Sequence, residues 1–208
     1  MRRGDDSILS IIKENKLYNR VYSVTKKYLS LSDDVHGIPH TLRVLKIALD
    51  IAEKVKENID KDVLIIATLL HDIGRPLEME KRVHHAILSA IIAEEELKKI
   101  GLEETKIKKI VDVIKAHSFS LRYPAKSIEA KILSDADKID ALGAIGVARA
   151  FIESARRGRN IKGTIDHFLE KLVNLINLLN FEESKRIAIE RHNFMVQFFD
   201  KLITEMNY

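Results

Sequence analysis

Residues 63–74 read VLIIATLLHDIG, and the rest of the chain is organised around this stretch. The run Val63–Leu70 carries no charge, which predicts a helix that is buried in a core. His71 and Asp72 then stand at its C-terminal end, where Gly74 predicts a left-handed stop. A carboxylate is costly in such a place unless it is paired or binds a metal. The alternative interpretation is a helix-capping histidine beside a solvated aspartate.

Composition predicts an all-α fold. The 208 residues include only three Pro and eight Gly, and long stretches are rich in the helix formers Leu, Ala, Lys and Glu and in Ile. This length suits one large domain or two small ones. Because we find no repeat, low-complexity segment or linker, we expect a single domain over residues 1–208.

The charge and cysteine content restrict the partners of the protein. The formal net charge is +4, which is mild and favours anionic substrates without requiring nucleic acid. The absence of cysteine removes disulfides and thiolate ligands and fits a reducing compartment. No apolar run approaches the length of a membrane span. We therefore expect a cytoplasmic protein without a membrane or nucleic-acid partner.

Capping residues predict where the helices lie. We expect one amphipathic helix from Ser7 to about Tyr28, and a second that begins near Pro39 with His40 in its first turn. Asp60 is expected to cap the buried helix. The remaining predictions are a polar connection over residues 75–83, a helix from His84-His85 to Gly101, a helix over about 103–116 that delivers His117, and helices near 164–180 and 182–205.

Histidines are concentrated at these predicted helix ends, where side chains from separate helices can meet in one pocket. Six of the eight histidines lie between residues 36 and 117. With the nearby carboxylates, the candidate set is His40, His71, Asp72 and Asp137. Two imidazoles and two carboxylates suit Mn, Fe, Co, Ni, Zn or Mg and leave coordination positions for water and substrate. We therefore expect a divalent metal ion as cofactor.

The spacing His40…His71-Asp72…Asp137 resembles that of the HD-domain metal-dependent phosphohydrolases. Residues 129–149, EAKILSDADKIDALGAIGVAR, resemble the signature of the small stand-alone HD hydrolases, and Ile165-Asp166-His167-Phe168 is similar to the tail of that group. The resemblance covers about residues 33–205. It implies an all-α HD-domain bundle around a metal pocket, with a metal-binding core at about 33–155 and a C-terminal helical pair at about 161–206.

The resemblance also implies roles for individual residues. His40, His71, Asp72 and Asp137 match the four metal-binding positions, and Asp137 is chosen because it directly precedes a basic residue. Asp135 and Asp140 are expected to orient a ligand or cap a helix. Lys138 and Arg149 resemble positions that could reach substrate phosphates, with structural salt bridges as the alternative. Arg43, one turn from His40, is similar in prospect, and its alternative is to support a metal ligand without touching substrate.

Asp72, His85 and His117 are the candidate catalytic residues. In dinuclear members of the family, histidines at places comparable to His85 and His117 bind a second metal. Ser118 replaces a further histidine found in some of those members, so we expect one ion per chain, with two ions as the alternative. Four other histidines are interpreted as structural or rim residues: His36, His84, His167 and His192.

The resulting prediction is a metal-dependent phosphohydrolase that acts on a nucleotide or another small phosphorylated metabolite through a metal-activated water. One alternative is a dinuclear phosphodiesterase or oxygenase-type site. A second alternative is a non-catalytic, nucleotide-binding regulatory module. Fold and ligands specify the reaction class better than the leaving group. We expect a small phosphorylated substrate as the partner, and a monomer or a homodimer.

Overall fold

The protein is described by a computed structural model over residues 3–30, 32 and 35–206. Within these residues every regular element is a helix, so the all-α prediction is confirmed. The chain forms two compact units, Met1–Ser134 and Asp135–Tyr208. The prediction of a single domain over residues 1–208 stays a prediction. Among the described residues, no helix combines the length and the apolar character that crossing a membrane requires.

The first unit is built from short helices. They are α1 (Arg3–Glu14), α2 (Lys16–Leu29), α3 (Ile38–Ala52), α4 (Lys61–Leu70), α5 (Glu78–Lys81), α6 (His85–Ile100), α7 (Glu104–His117) and the start of α8 (Ile128–Asp140). The segments Arg75–Leu77 and Phe119–Leu121 form single 3₁₀ turns. The connection predicted over residues 75–83 therefore contains a turn and a short helix.

The single helix predicted from Ser7 to Tyr28 is wrong. The helical segment begins at Arg3 and is divided at Asn15 into α1 and α2. The Asn15 side chain accepts hydrogen bonds from the backbone N–H groups of Leu17 and Tyr18, at 2.9 and 3.2 Å. Asparagine is a strong N-cap and a weak helix former, so it starts a second helix inside an otherwise helical pattern.

Helix α4 is the centre of the first unit. All eight residues from Val63 to Leu70 are buried, and the helix contacts α2, α3 and α7. A helix that is apolar on every side requires such surroundings. Asp60 accepts the Val63 backbone N–H at 3.1 Å, so the predicted cap is confirmed. His71 occupies the position directly after the last helical residue, as the sequence predicts.

Helices α6 and α7 pack against each other and also have the predicted ends. The His84 side chain caps α6 by accepting the Ala86 backbone N–H at 3.2 Å. Gly101 ends α6 in the left-handed conformation, with φ of 83°. Because caps act within one turn of chain, these boundaries are among the most readable from sequence.

The second unit contains the end of α8, then α9 (Gly143–Arg156), α10 (Ile161–Glu170), a 3₁₀ segment (Leu172–Leu178) and α11 (Glu182–Met206). The helix predicted near 164–180 thus ends at Glu170. Helix α9 packs closely on α11. A Cβ on Gly143 would lie 3.1 Å from Arg191 Cβ, and a Cβ on Gly146 would lie 2.8 Å from Met195 Cε.

Candidate metal centre

The ends of four helices of the first unit bring four histidines and one aspartate together. His40 lies in the first turn of α3, His71 and Asp72 follow α4, His85 begins α6 and His117 ends α7. All five side chains are buried. These are five of the candidate site residues that the sequence predicts.

The Asp72 carboxylate lies at the centre of these rings. Three nitrogens lie near Oδ2: His36 Nδ1 at 3.4 Å, His40 Nε2 at 3.7 Å and His71 Nε2 at 3.9 Å. Two more lie near Oδ1: His85 Nε2 and His117 Nε2, each at 3.6 Å. The two carboxylate oxygens therefore face two different sets of histidines.

Two of the rings are oriented by the helices that carry them. His71 Nδ1 lies 2.7 Å from the Thr68 carbonyl oxygen, and His117 Nδ1 lies 2.6 Å from the Ile114 carbonyl oxygen. A carbonyl only accepts hydrogen bonds, so Nδ1 of each ring carries the proton. In the neutral ring each Nε2 therefore presents a lone pair toward Asp72, which is the form that binds a metal.

The donor set fits a divalent cation. Asp72 Oδ1 and His85 Nε2 are buried, yet neither has a hydrogen-bond partner among the residues that the structure describes. His40 Nε2 and His71 Nε2 lie 3.3 Å apart, and two nitrogens bound to one ion at about 2.1 Å lie roughly 3.0–3.4 Å apart. His36, His40 and Asp72, and likewise His71, Asp72 and His117, lie within ligand distance of one another.

The Asp72 carboxylate is held in its ionised form. Burial by itself raises the pKa of Asp72. Arg75, His71 and the rings of His117 and His36 outweigh that effect and hold the pKa well below its usual range. Arg75 Nε lies 3.4 Å from Asp72 Oδ2. The site therefore keeps a buried carboxylate that favours a positive charge beside it, which is an arrangement that attracts a cation.

Gly74 holds the turn after Asp72 against α6. The predicted left-handed conformation is wrong, because Gly74 has φ of −84° and ψ of −9°. A Cβ at this position would lie 2.5 Å from the Ser89 backbone nitrogen and 2.8 Å from the His85 carbonyl oxygen. The Gly74 N–H also donates to Ser89 Oγ at 2.9 Å. Glycine is thus required by close approach rather than by backbone conformation.

His85 is held from outside its own helix. Glu78 Oε1 accepts both the His85 backbone N–H and the Nδ1–H, each at 3.0 Å. Burial lowers the pKa of His85 to about 4, against the opposing effect of Asp72. Burial raises the pKa of Glu78, but the two hydrogen bonds from His85 outweigh it and the net pKa is lowered.

Sequence reasoning left three residues out of the candidate site. His36 lies beside Asp72, although the sequence favours a structural or rim role for it. Arg75 stands three residues after Asp72, a spacing that could have indicated a contact. Glu78 carries no signal in the sequence, because its role depends on the turn that Gly74 holds.

The acidic segment of α8, residues 135–140, belongs to the second unit. Asp135 is buried, and its carboxylate accepts hydrogen bonds from Asn180 N–H (2.8 and 2.9 Å), Asn180 Nδ2 (2.7 Å) and Phe181 N–H (3.2 Å). These groups directly precede α11, so Asp135 caps the start of that helix, which is one of the two roles expected of it. Asp137 is half-buried, and its role as a ligand stays a prediction.

The three predicted phosphate-binding residues have different surroundings. Arg43 is half-buried on α3. Lys138 is buried, and burial lowers its pKa although Asp135 and Asp137 act in the opposite direction. Arg149 donates to the Asp140 carboxylate at 2.5 Å, which is the salt bridge that the sequence left as the alternative. Contact of these residues with a phosphate stays a prediction.

Fold and site together define the class of the protein. The chain belongs to the HD domain family, since the HD domain pattern matches residues 37–142, about half of its length. The resemblance seen in the sequence is therefore confirmed. The matched range includes six predicted site residues of the first unit and two of the second: His40, Arg43, His71, Asp72, His85, His117, Asp137 and Lys138.

Similar proteins cover nearly the whole chain. YpgQ of Bacillus subtilis (strain 168) is 30% identical over 200 residues, which are 92% of this chain and 94% of YpgQ. The crystal structure of YpgQ in complex with ADP has a TM-score of 0.71 at 29% identity and covers 89% of this chain and 97% of that one. An HD-superfamily hydrolase from Bacillus thuringiensis has a TM-score of 0.69 at 28% identity, over 91% of this chain and 96% of that one.

Proposed function

We propose that this protein is a metal-dependent phosphohydrolase that acts on a nucleotide or another small phosphorylated metabolite. The observation that carries the proposal is the Asp72 carboxylate, which is buried and surrounded by five histidine rings, with Oδ1 lacking a hydrogen-bond partner within the described residues. The family supports hydrolysis as the reaction class. The complex of B. subtilis YpgQ with ADP supports a phosphorylated ligand.

We assign His40, His71 and Asp72 as ligands of one divalent ion. When bound, such an ion lowers the pKa of water and polarises a phosphoryl oxygen. His85 and His117 present unprotonated Nε2 atoms beside Asp72 Oδ1, where they can accept hydrogen bonds from water or substrate. Arg75 balances the charge of Asp72. We further assign phosphate binding to Arg43, Lys138 and Arg149, on the sequence resemblance.

A phosphate-release screen with the ions supplied separately tests the reaction class. Metal-free protein is loaded with Mn²⁺, Co²⁺, Ni²⁺ or Mg²⁺ and offered nucleoside mono-, di- and triphosphates and simple phosphoesters. We expect ion-dependent phosphate or pyrophosphate release that His71→Ala removes and His167→Ala retains. Nucleotide binding without hydrolysis under any ion would contradict the enzyme and support the regulatory module instead.

A second candidate is a dinuclear site, which the two histidine sets facing the two oxygens of Asp72 favour. Metal counting by plasma emission spectrometry, on protein never exposed to chelator, separates the candidates. We expect one ion per chain, retained in His85→Ala. Two ions in the wild type and one in His85→Ala would establish the dinuclear site, and two irons would indicate oxygen chemistry.

Asp137 is proposed as the fourth ligand because it matches the family pattern directly before Lys138. Asp137→Asn should lose the ion and hydrolysis. Asp135→Asn is the matched control, because its carboxylate is already occupied by Asn180 and Phe181. This control should keep the ion and lose about 10–100-fold in activity, which is the typical effect of changing a residue that supports a metal ligand. The reverse ranking would move the ligand to Asp135.

A further inference from the structure

His85 differs from His71 and His117 because it begins a helix instead of following or ending one. His71 and His117 each donate Nδ1–H to a carbonyl in the last turn of their own helix. The first turn of a helix exposes unpaired N–H groups and has no unpaired carbonyl to offer. Helix α6 therefore gives His85 no acceptor of this kind, and the ring needs one from elsewhere.

Glu78 supplies the acceptor. A single oxygen, Oε1, accepts the backbone N–H and the ring Nδ1–H of His85, each at 3.0 Å. The carboxylate thus satisfies an exposed N–H at the start of α6, where the helix dipole favours a negative charge. Because an ionised carboxylate only accepts, the neutral ring keeps its proton on Nδ1 and its lone pair on Nε2.

The lone pair points at the candidate metal centre. His85 Nε2 is buried without a hydrogen-bond partner in the described part of the chain, and it lies 3.6 Å from Asp72 Oδ1. We propose that Glu78 is a positioning residue that holds His85 in the Nδ1–H tautomer and directs Nε2 into the site. This role is the same whether Nε2 faces substrate or an ion. Its effect on hydrolysis rests on the function proposed above.

A separate metal site at Glu78, His84 and His85 is the competing interpretation, since these side chains lie within ligand distance of one another. The geometry argues against it. His84 Nδ1 accepts the Ala86 N–H, and His84 Nε2 lies 2.8 Å from Ser120 Oγ. Both nitrogens of His84 are therefore engaged, and Glu78 Oε1 is engaged by His85.

Nitrogen NMR of the Mg²⁺-loaded protein tests the proposal directly, because Mg²⁺ is diamagnetic. Two-bond ¹H–¹⁵N spectra of ¹⁵N-histidine protein distinguish the two tautomers, and His85→Ala assigns the His85 signals. We expect the Nδ1–H form of His85 in the wild type and a substantial Nε2–H population in Glu78→Ala. A wild-type ring in the Nε2–H form, or an unchanged tautomer in Glu78→Ala, would overturn the proposal.

Two further variants separate orientation from helix capping and from charge. His84→Ala removes the other cap of α6 and should lower stability without changing the His85 tautomer. Glu78→Gln keeps a carbonyl acceptor but no charge, so it should preserve the tautomer. A tautomer lost in His84→Ala as well would show that Glu78 acts only through helix stability.

Kinetics give an independent readout for whichever substrate the screen identifies. Glu78→Ala should lower kcat about 10–100-fold, the typical cost of removing an orienting partner, with KM and ion content unchanged. Glu78→Gln should recover most of that loss. If no substrate is hydrolysed, the proposed function fails while the tautomer result still decides the role of Glu78. An unchanged kcat in an active enzyme would refute the catalytic consequence alone.

Discussion

The two ends of α4 carry the same residue type in opposite situations. At the N-terminal end, both oxygens of Asp62 are occupied: Oδ1 accepts the Tyr18 hydroxyl and Oδ2 accepts the Lys106 ammonium group, each at 2.5 Å. At the C-terminal end, Asp72 is only 1% exposed, yet its Oδ1 has no hydrogen-bond partner in the ranges that the structure describes.

The difference separates a carboxylate that contributes to stability from one that we propose binds an ion. A buried polar atom without a partner costs free energy, about 1–3 kcal/mol by mutational measures. A fold that retains such an atom beside lone pairs on several imidazoles is arranged for a ligand. Asp62 stabilises the protein by its contacts, whereas Asp72 is the residue that we propose as an ion ligand.

The largest expected effect comes from Asp72→Asn. With Mn²⁺ at about 100 times its Kd, the wild type should gain roughly 2.7 kcal/mol in the free energy of unfolding. Asp72→Asn should gain almost nothing and should lose hydrolysis, while its circular dichroism spectrum stays helical. Asp62→Asn is the matched control on the same helix and should retain the full gain. If the ion still raises the free energy of unfolding of Asp72→Asn, Asp72 is not a ligand and does not differ from Asp62 in this respect.

Gly74→Ala should have the next largest effect. Its Cβ would collide with backbone atoms of Ser89 and His85, so the start of α6 must move, at a cost of about 1–3 kcal/mol. Hydrolysis should fall while the ion is retained. Gly101→Ala is the control, because a Cβ there has open space although φ is 83°. It should lose stability and keep activity, and equal activity loss in both variants would rule out the specific displacement of His85.

Asp62→Asn should have the smallest effect, a loss of about 1 kcal/mol at pH 7, because the pair is partly exposed and screened by solvent. The hydrogen bonds from Lys106 and Tyr18 hold the pKa of Asp62 below its ordinary value. The folded state therefore binds this proton less readily than the unfolded state. The contribution is complete above the unfolded pKa of about 3.9 and is lost as the pH falls through the folded pKa.

Denaturant unfolding between pH 7 and pH 3 measures that loss. The free-energy difference between wild type and Asp62→Asn should narrow as the solution becomes more acidic. A difference that stays constant over this range would mean that the Asp62 contacts do not depend on its charge.

The sequence predicts the parts of the site that depend on local rules. Four features all follow from patterns within one or two turns: the Asp60 cap, the start of a helix at His84-His85, the burial of Val63–Leu70 and the placement of His71 and His117 at helix ends. The sequence does not predict the division at Asn15, because the free energy of N-capping by asparagine and the free energy of continuing the helix through it differ by only about 1 kcal/mol. Glu78 was missed because its contact with His85 depends on the tertiary approach of Gly74 to α6.

The bonds from His71 and His117 to their own helices couple ring orientation to the last turn of each helix. When the last turn of α4 or α7 frays, the Thr68 or Ile114 carbonyl moves and the ring loses its direction. Conversely, a ligand bound to Nε2 also stabilises that turn against opening. The exchange rate of the amide hydrogens in these two turns is therefore linked to ligand occupancy of the site. Both depend on the same local unfolding equilibrium.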